Sequence, residues 1–515
     1  MKPPLLTGAT WLTLLALLAY YPIYGGDFLW DDYLWLWDNS IATSPNGWFK
    51  CWIPGNTTDY YPVTSMSFWL QWHLFGREST GYQIINVLLL ALGSIIIWRI
   101  LIALGMNQLW AWFAALLFIL HPINVASAGW ISEQKNTLSM VFYAAAMLAW
   151  LKHEDQPSSR VYLIILILFI LGLLSKASGV LLPAMMLLTI WWQKNRIREQ
   201  DVMRTIPIFA IALAFCAITI HFQQNFAIAG QQVRPEGFAS RLAVAGHAVW
   251  FYLGKALWPA DLILVYPRWQ IEGSSFNSFI PLLALIFCAA ALWRFRAGPA
   301  RPVLLALIIF VLALAPILGF FTMFYHSYSL VADQWAYLAL PAIAALVALA
   351  AQRIAHGRSA LAVALMLLLA CPLAALTIHR TRIFHHKISL WSDTIQRNPT
   401  SVVAHLNLGT AYERKGNLNQ AAHYFKEAIT LDRNYGKAYS NLGAVYAKQD
   451  RLGEATAHFR TALQIDKQDH SAHKNLGMAL LKLGQIKQGA ASLRRGQDIR
   501  YDKQTQNILS QLEQR

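Results

Sequence analysis

The feature that most constrains this chain is a series of apolar segments, each long enough to cross a membrane as a helix. The segments are about 17 to 22 residues long, and a helix of about 20 apolar residues spans the hydrocarbon layer. Short polar or basic stretches separate them. The candidate spans are 6–24, 82–103, 109–127, 136–151, 161–175, 177–192, 205–224, 275–295, 302–323, 335–351 and 359–378. The pattern predicts an all-α, polytopic membrane helix bundle with about 11 spans.

Basic loops indicate the orientation of this bundle. The stretches 193–204, 293–301 and 352–358 are rich in Lys and Arg, and they fall on one side of the membrane if the N-terminus is cytoplasmic. The N-terminal segment lacks a small-residue cleavage site, so we interpret it as an uncleaved first span. Segment 241–258 is either a further span or an interfacial helix; we prefer the interfacial helix because it keeps the flanking basic loops on one side.

Composition excludes several classes of protein. Of 515 residues, 56% are hydrophobic and only 13% are charged, more apolar surface than water-soluble cores can bury. The net charge of +16 does not indicate nucleic-acid binding, since many of the basic residues lie in loops that set topology. The four cysteines are far apart and form no CxxC motif, so neither a disulfide framework nor a cysteine metal site is indicated.

The C-terminal part contains internal repeats. The string NLG begins at Asn407, Asn441 and Asn475, with a spacing of 34 residues. Small and aromatic residues fall in register with it, as they do in tetratricopeptide repeats, which are stacked helix pairs. We therefore divide the chain into a membrane domain, 1–380, and a repeat α-solenoid, 381–515. The solenoid comprises a half-repeat at about 381–401, repeats at 402–435, 436–469 and 470–503, and a capping helix at 504–515.

An adjacent acid pair, Asp31–Asp32, stands in the stretch GGDFLWDDYLWLW that follows the first span. A charge near hydrocarbon is costly unless it is hydrated, paired or used in chemistry, so the pair is a candidate functional site. The outside segment 25–81 is rich in Trp and Tyr. We expect it to lie on the membrane surface as the roof of a site, with its aromatics as interface anchors. The alternative is that the two acids are merely hydrated residues at the end of a span.

Two further groups of candidates lie at outside ends of spans. His121, Glu133 and Lys135 follow the third span and could approach the acids, although for each residue taken singly a proline-bent turn with solvated charges is the more common explanation. Lys176, in LLSKASG, would attract a phosphate if it faces inward, whereas an isolated lysine at a span end usually snorkels to water.

A basic group in the outside segment runs against the positive-inside trend. It comprises Arg234, Arg241, Lys255 and Arg268. This excess of positive charge suggests an anionic ligand on the outer face.

The order of these motifs resembles a known family. The segments FLWDD, YYPVTSMSFWLQWHLFG, HPINVASAGWISEQKN, SKASGVLLP, LWPADLILVYP and VADQWAYLALP, followed by the repeats, are similar to those of the transmembrane and tetratricopeptide-repeat glycosyltransferases. The animal members of that family are protein O-mannosyltransferases. The chain departs from the family pattern at Asn124 and Ala126, where relatives often carry His and Glu, and at Gln334 and Trp335, where they often carry Arg and Tyr.

The resemblance implies a GT-C fold, a catalytic acid in the first outside loop and a polyprenyl-phosphate sugar as donor. By this resemblance Asp31 is the base and Asp32 its partner. We predict inversion at the anomeric carbon by a single displacement. The predicted donor-phosphate ligands are Lys176, Arg234, Arg241 and Lys255, and the predicted supporting residues are His121, Glu133, Lys135 and Asp333. No cofactor is required by the pattern, and a divalent metal is left open because two adjacent acids are not a ligand set.

The repeats are the predicted acceptor-binding part. Asn407, Asn441 and Asn475 would line up on the inner helices, where amides pair with the backbone of an extended peptide, as in the asparagine ladder of the O-linked N-acetylglucosamine transferases. The alternative is that asparagine recurs at this repeat position for local reasons.

These inferences lead to one prediction with two alternatives. The chain is predicted to be an enzyme that glycosylates Ser or Thr of proteins, with mannose as one candidate sugar. We place it in a bacterial inner membrane, with the N-terminus in the cytoplasm and the repeats on the periplasmic side. The alternatives are a transferase of the same fold that modifies a surface glycan or lipid, and a non-catalytic membrane scaffold whose repeats recruit partners.

Overall fold

The computed structural model describes residues 5–55, 59–230 and 232–513. Within these ranges the secondary structure consists of α-helices with short 3₁₀ and π turns, and no strand is formed. The predicted all-α class is therefore confirmed. The chain separates into two units, Met1–His386 and Lys387–Arg515. The division falls a few residues after the predicted boundary at 380, because the last apolar helix continues through Arg380 to His385.

The first unit contains sixteen α-helices within the described residues. They are α1 (Leu5–Ala19), α2 (Ser40–Thr43), α3 (Gly47–Lys50), α4 (Pro62–Phe75), α5 (Ser79–Ala103), α6 (Gln108–Ile119), α7 (Val125–Ala128), α8 (Gln134–Asp155), α9 (Ser159–Ser175), α10 (Leu182–Lys194), α11 (Glu199–Phe222), α12 (Phe238–Leu257), α13 (Ile280–Arg294), α14 (Arg301–Leu314), α15 (Leu340–Ala355) and α16 (Ser359–His385).

Many of these helices are suited to a membrane by length and composition. Among the described residues, four helices are long and apolar enough to cross a membrane, and they correspond to α5, α11, α13 and α16. Helix α6 and the segment 122–128 together could form one more span, bent by 49°. Four shorter apolar helices are based on α1, α9, α14 and α15. All of these overlap predicted spans, and α8 and α10 occupy the two remaining ones, 136–151 and 177–192. The chain is an integral membrane protein.

Helix α12 occupies the segment 241–258, for which two locations were considered. It is long enough to cross a membrane but is absent from the apolar helices just described. One face is buried, including Val244, Ala248 and Tyr252, whereas Trp250 and Leu257 are exposed. A buried face opposite exposed apolar side chains suits either location, so the place of α12 in the membrane stays a prediction.

The first outside segment folds into the protein more deeply than expected. Phe28, Trp35 and Phe68 are buried in one cluster with Ile131. For these three aromatics the expected role of interface anchor is wrong, because they fill the space between the loop after α1 and helices α4 and α5. Aromatic residues that remain exposed are found further along the segment, for example Trp48 in α3.

The second unit is a regular helical solenoid. Its helices are α17 (Lys387–Arg397), α18 (Val402–Arg414), α19 (Leu418–Leu431), α20 (Gly436–Lys448), α21 (Leu452–Ile465), α22 (His470–Lys482), α23 (Ile486–Ile499) and α24 (Lys503–Glu513). The NLG glycines allow the two helices of a repeat to approach closely. A Cβ on Gly409 would lie 2.6 Å from the ring of Phe425, and one on Gly443 would lie 2.8 Å from the ring of Phe459. The 34-residue period therefore has a packing cause.

Candidate functional site

The acid pair lies in a tight turn between α1 and α2. The turn is closed by Asp32, whose Oδ2 accepts a hydrogen bond from the backbone N–H of Leu29 at 2.7 Å. Trp30 adopts a positive φ of 30° in this turn, and its ring stacks on Trp130 at 5.5 Å between centroids. The strained residue is thus held by an aromatic contact with the segment that precedes α8.

Ser132 fixes both carboxylates of the pair. Its backbone N–H donates to Asp32 Oδ1 at 2.7 Å, and its hydroxyl donates to Asp31 Oδ1 at 2.5 Å. Asp32 is fully buried, whereas Asp31 is partly exposed. This difference leaves Asp31 as the member of the pair that can reach a bound molecule.

Burial changes the protonation of the pair. Removal from water, together with the neighbouring charge of Asp31, raises the pKa of Asp32 to about 8. Burial also raises the pKa of Asp31, but Lys135 and the Ser132 hydroxyl favour its ionised form. The two acids therefore form a coupled pair in which burial favours the protonated form of each, while Lys135 and Ser132 favour the charge on Asp31.

Glu133 is the centre of a buried ion-pair network next to the acid pair. Its Oε1 lies 2.9 Å from Lys135 Nζ, and its Oε2 lies 3.3 Å from Lys176 Nζ. Asn136 completes the network, because its amide donates to Glu133 at 2.6 Å and accepts from Lys176 at 2.7 Å. Burial opposes ionisation of Glu133, but the two lysines outweigh it and keep its pKa below the usual range. Two cations against one carboxylate leave this network with a net positive charge.

Helix ends bring these residues together. Glu133 immediately precedes the N-terminus of α8, where the helix dipole favours a negative charge. Lys176 follows the C-terminus of α9, where a positive charge is favoured. Because α8 and α9 are consecutive and pack against each other, the end of one meets the start of the other.

Asp59 joins this region and was missed by the sequence analysis. Its Oδ1 accepts a hydrogen bond from the Gln223 side chain at 2.6 Å. Burial raises the pKa of Asp59, and the charges of Lys135 and Lys176 oppose the shift, so the three groups are electrostatically coupled. The sequence offered one weak sign of it, an acid directly before the aromatic pair Tyr60–Tyr61.

Two predicted supporting residues lie in other arrangements. His121 interacts through Nε2 with the carbonyl of Ala256 at 3.1 Å and accepts the N–H of Ile123 through Nδ1. Asp333 accepts from Arg380 at 2.7 Å and from the hydroxyl of Tyr266 at 2.6 Å. Their contacts brace loops, and none of those described joins them to Glu133.

Of the four predicted phosphate ligands, Lys176 belongs to the Glu133 network and the other three have partners elsewhere. Arg234 pairs with Glu236 at 3.3 Å and donates to the carbonyl of Gly319, while Arg241 donates to the carbonyl of Phe320. Lys255 donates to the carbonyls of Ala260 and Asp261 at the end of α12. Arg268 pairs with Glu236 at 3.1 Å.

A cavity of about 600 Å³ opens beside the Glu133 network. Lys176 and Arg241 both line it, so the structure brings two of the four predicted phosphate ligands to one space. Most of the remaining lining is apolar and comes from α11, α14 and the segment 315–338. A second, mainly apolar cavity of about 600 Å³ lies among α5, α8, α10, α14 and α15, and it shares Ser178, Ala313 and Leu338 with the first. The two cavities together suit a ligand with a charged head and a long apolar tail.

The three repeat asparagines occupy equivalent positions on α18, α20 and α22. All three are partly exposed. The amide of Asn407 donates to the carbonyl of Val403 in its own helix at 2.8 Å, and that of Asn441 lies 3.5 Å from the hydroxyl of Thr410 in the neighbouring repeat. Part of their hydrogen-bonding capacity is therefore used within the solenoid.

Parts of both units match known protein families. A family model described as dolichyl-phosphate-mannose-protein mannosyltransferase matches residues 59–222, and models of the tetratricopeptide repeat match 402–435 and 436–469. The first match includes Asp59, Glu133 and Lys176.

Several curated relatives are described as protein O-mannosyl-transferases. A protein O-mannosyl-transferase of Caenorhabditis elegans is 23% identical over 447 residues, which is 82% of this chain and 62% of that protein. The protein O-mannosyl-transferase TMTC2 homologue of Xenopus laevis is 26% identical over 27% of this chain and 18% of its own length. TMTC3 of Mus musculus is 29% identical over 24% and 13% respectively. The chain thus spans less than two thirds of the length of each of these relatives.

Among solved structures, similarity is found with repeat proteins. MamA is 20% identical with a TM-score of 0.24, covering 25% of this chain and 75% of that one. The N-terminal domain of stress-induced protein-1 from C. elegans is 20% identical with a TM-score of 0.21, covering 22% and 94%. The family matches and the curated relatives confirm the resemblance predicted from the sequence: the chain combines a mannosyltransferase-type membrane region with tetratricopeptide repeats, as the transmembrane and tetratricopeptide-repeat O-mannosyltransferases do.

Proposed function

We propose that this chain is a membrane glycosyltransferase that moves a sugar, mannose foremost, from a polyprenyl-phosphate donor to a Ser or Thr hydroxyl of a protein. The observation that carries the proposal is the juxtaposition of three parts: the Asp31–Asp32 turn, the lysines paired with Glu133, and the cavity lined by Lys176. An acid, cations and an apolar space are the three elements that such a transfer requires. The description of the curated relatives as protein O-mannosyl-transferases supports the choice of sugar and acceptor.

The chemistry assigns one step to each part. Asp31 accepts the proton of the acceptor hydroxyl as its oxygen forms a bond to the anomeric carbon. The bond from that carbon to the phosphate oxygen breaks on the opposite face, and its electron pair leaves with the phosphate. A single displacement of this kind inverts the anomeric configuration. Asp32 keeps the turn in place by accepting the N–H groups of Leu29 and Ser132.

The leaving group needs charge stabilisation rather than a proton, because a phosphate ester anion is weakly basic. Lys176 and Arg241 face the same cavity and supply that charge. Lys135 adds to it through Glu133, since two lysines share one carboxylate. The apolar walls of the two cavities accommodate the polyprenyl tail.

The repeats bind the acceptor in this proposal. Asn407, Asn441 and Asn475 offer amides at a 34-residue interval, and tethering them to the enzyme raises the local concentration of acceptor. We place the site and the repeats on the periplasmic side of a bacterial inner membrane, as the basic loops predict. Metal dependence is decided by assay with and without a chelator; among the described residues no group of three or more His, Cys, Asp or Glu could hold a metal ion.

The proposal is tested with the full chain in proteoliposomes that contain polyprenyl-phosphate mannose and candidate acceptor peptides. Transfer to Ser or Thr, with inverted anomeric configuration by NMR, is the expected result. Mass spectrometry of envelope proteins from cells with and without the gene identifies the acceptor. An unchanged proteome with an altered surface glycan would instead support the alternative in which the enzyme modifies a glycan. If no sugar is transferred to any acceptor, the non-catalytic membrane scaffold is the remaining alternative.

A further inference from the structure

The cavity beside Lys176 contains buried polar atoms that have no partner. Gln334 lines this cavity and is only 3% exposed, and its amide oxygen has no hydrogen-bond partner in the described part of the chain. Ser178 lines the same cavity, and its hydroxyl oxygen is also buried and unpartnered. Folded proteins satisfy nearly all of their buried polar atoms, so two such oxygens on residues that line one cavity point to a ligand that satisfies them.

The backbone around Gln334 is fixed from both sides. Asp333, which precedes it, is bound by Arg380 and Tyr266. Trp335, which follows, packs its ring against Tyr325 at 5.1 Å and His326 at 5.5 Å between centroids. Because both neighbours are anchored, the backbone of Gln334 is held at the cavity wall. Gln334 is therefore a preorganised hydrogen-bond acceptor in the cavity wall.

An amide oxygen accepts a hydrogen bond from a ligand N–H or O–H group. The same cavity presents Lys176 and Arg241, which suit a phosphate, and apolar walls, which suit a hydrocarbon tail. On the proposed function, the group attached to the phosphate is a sugar, and its hydroxyls are the donors closest to these cations.

We infer that Gln334 is a specificity-determining residue whose amide oxygen accepts a hydrogen bond from one hydroxyl of the donor sugar, with Ser178 as a second contact. This inference rests on the proposed function and adds the recognition of the sugar to it. A hydroxyl of the protein acceptor has the same chemistry. The position of Gln334 beside the cationic side chains favours the donor, and the experiment separates the two sources.

The experiment compares donors that lack single hydroxyls. The full chain is reconstituted with polyprenyl-phosphate mannose or with its 2-, 3-, 4- or 6-deoxy analogues, and initial rates of transfer and thermal stabilisation by each lipid are measured. The wild-type protein should disfavour one of the analogues by about 10- to 100-fold, as expected for a buried acceptor left without its donor. Gln334→Leu should lose a similar factor with the complete sugar and should no longer distinguish it from that analogue.

Matched variants separate recognition from stability. Gln352 also carries a buried amide oxygen without a described partner, but it lies near the far end of α15 and lines neither cavity. Gln352→Leu should rank the analogues as the wild-type protein does. Ser178→Ala should weaken discrimination at one hydroxyl by a smaller factor. If Gln334→Leu fails to fold, Gln334→Asn, which retracts the amide by one methylene, should show the same loss of discrimination.

The outcomes distinguish this inference from the proposed function. A Gln334 variant that ranks every analogue as the wild-type protein does would overturn the inference while leaving the transferase intact. A change confined to the KM for the acceptor peptide would assign the hydroxyl to the acceptor and also overturn it. A wild-type protein that neither transfers from nor is stabilised by any of the lipids would overturn the proposed function and this inference together.

Discussion

Two buried carboxylate clusters in the membrane unit look alike in sequence but differ in structure. Asp333 and Arg380 form a one-to-one pair, and Tyr266 adds a neutral donor. The Glu133 network beside Asp31 and Asp32 instead sets two lysines against one carboxylate, and it adjoins a cavity through Lys176. The balanced pair of Asp333 and Arg380, here called the closed pair, holds loops together. A cluster of unequal charges beside a cavity can instead interact with a charged ligand. Burial of an acid alone therefore does not mark a catalytic site.

The largest expected effect is on catalysis at Asp31. Asp31→Asn removes the proposed base but keeps an oxygen that can accept from Ser132, so the turn should persist. General base catalysis contributes about 10²- to 10⁴-fold, and we expect the transfer rate to fall by that factor with little change in melting temperature. The rate is measured with polyprenyl-phosphate mannose in proteoliposomes. Asp38→Asn, an exposed acid in the same loop, is the matched control. Full activity of Asp31→Asn would remove the assignment.

The second prediction concerns the closed pair. Arg380→Met leaves the Asp333 carboxylate buried with Tyr266 as its remaining described partner, and breaking a buried ion pair in this way costs about 3–5 kcal/mol. Thermal unfolding in detergent should show a large loss of stability. Arg382→Met, an exposed change on the same helix, should not. Adding Asp333→Asn should recover part of the lost stability. A stable but inactive Arg380→Met protein would show that the closed pair is catalytic and not structural, contrary to the assignment.

The third prediction concerns Lys176 and compares the loss of stability with the loss of transfer rate. Lys176→Met removes one of two lysines from Glu133, which keeps Lys135 at 2.9 Å and the amide of Asn136. The stability cost should therefore be well below that of Arg380→Met, while loss of charge beside the leaving phosphate should lower the rate about 10²-fold. Steady-state rates and melting temperatures are compared with those of Lys152→Met, an exposed lysine near the end of α8. A variant that loses stability but not rate would make Lys176 a structural cation.

How much of this could be read from the sequence depends on the kind of signal. Consecutive apolar spans are antiparallel, so 136–151 followed by 161–175 already places Lys135 and Lys176 on the same side of the membrane. The repeats were readable because the glycine at each NLG must clear a large side chain at a fixed interval, as with Gly409 and Phe425. In both cases a regular spacing along the sequence determines where the residues lie in the folded chain.

The remainder depended on irregular structure. Asp59 lies in a long loop without periodicity, and its partner Gln223 is 164 residues away. The burial of Trp35 could not be predicted because an aromatic in such a loop suits either an interface or a core. Gln334 stood out only as a departure from the resembling family, since an amide without a partner is a property of the folded cavity. The pairing of Asp333 with Arg380 was hidden because Arg380 lies beyond the last predicted span.

The effect of pH should be the most gradual, and it tests the titration of the buried Asp31–Asp32 pair. Burial raises the pKa of Asp32 to about 8, whereas an aspartate in the unfolded chain has a pKa of about 3.9. Between these values the folded protein binds a proton that the unfolded chain releases, so stability should fall as the pH rises through this window. Activity should change in the opposite direction in the pH range where Asp31 gains a proton, by up to about tenfold per pH unit, because the base must be ionised. Melting temperatures and initial rates from pH 5 to 8.5 measure both trends. Asp32→Asn should flatten the stability trend, since it removes the group that titrates. A stability trend that survives in Asp32→Asn but disappears in Asp333→Asn would place the titrating proton in the closed pair instead.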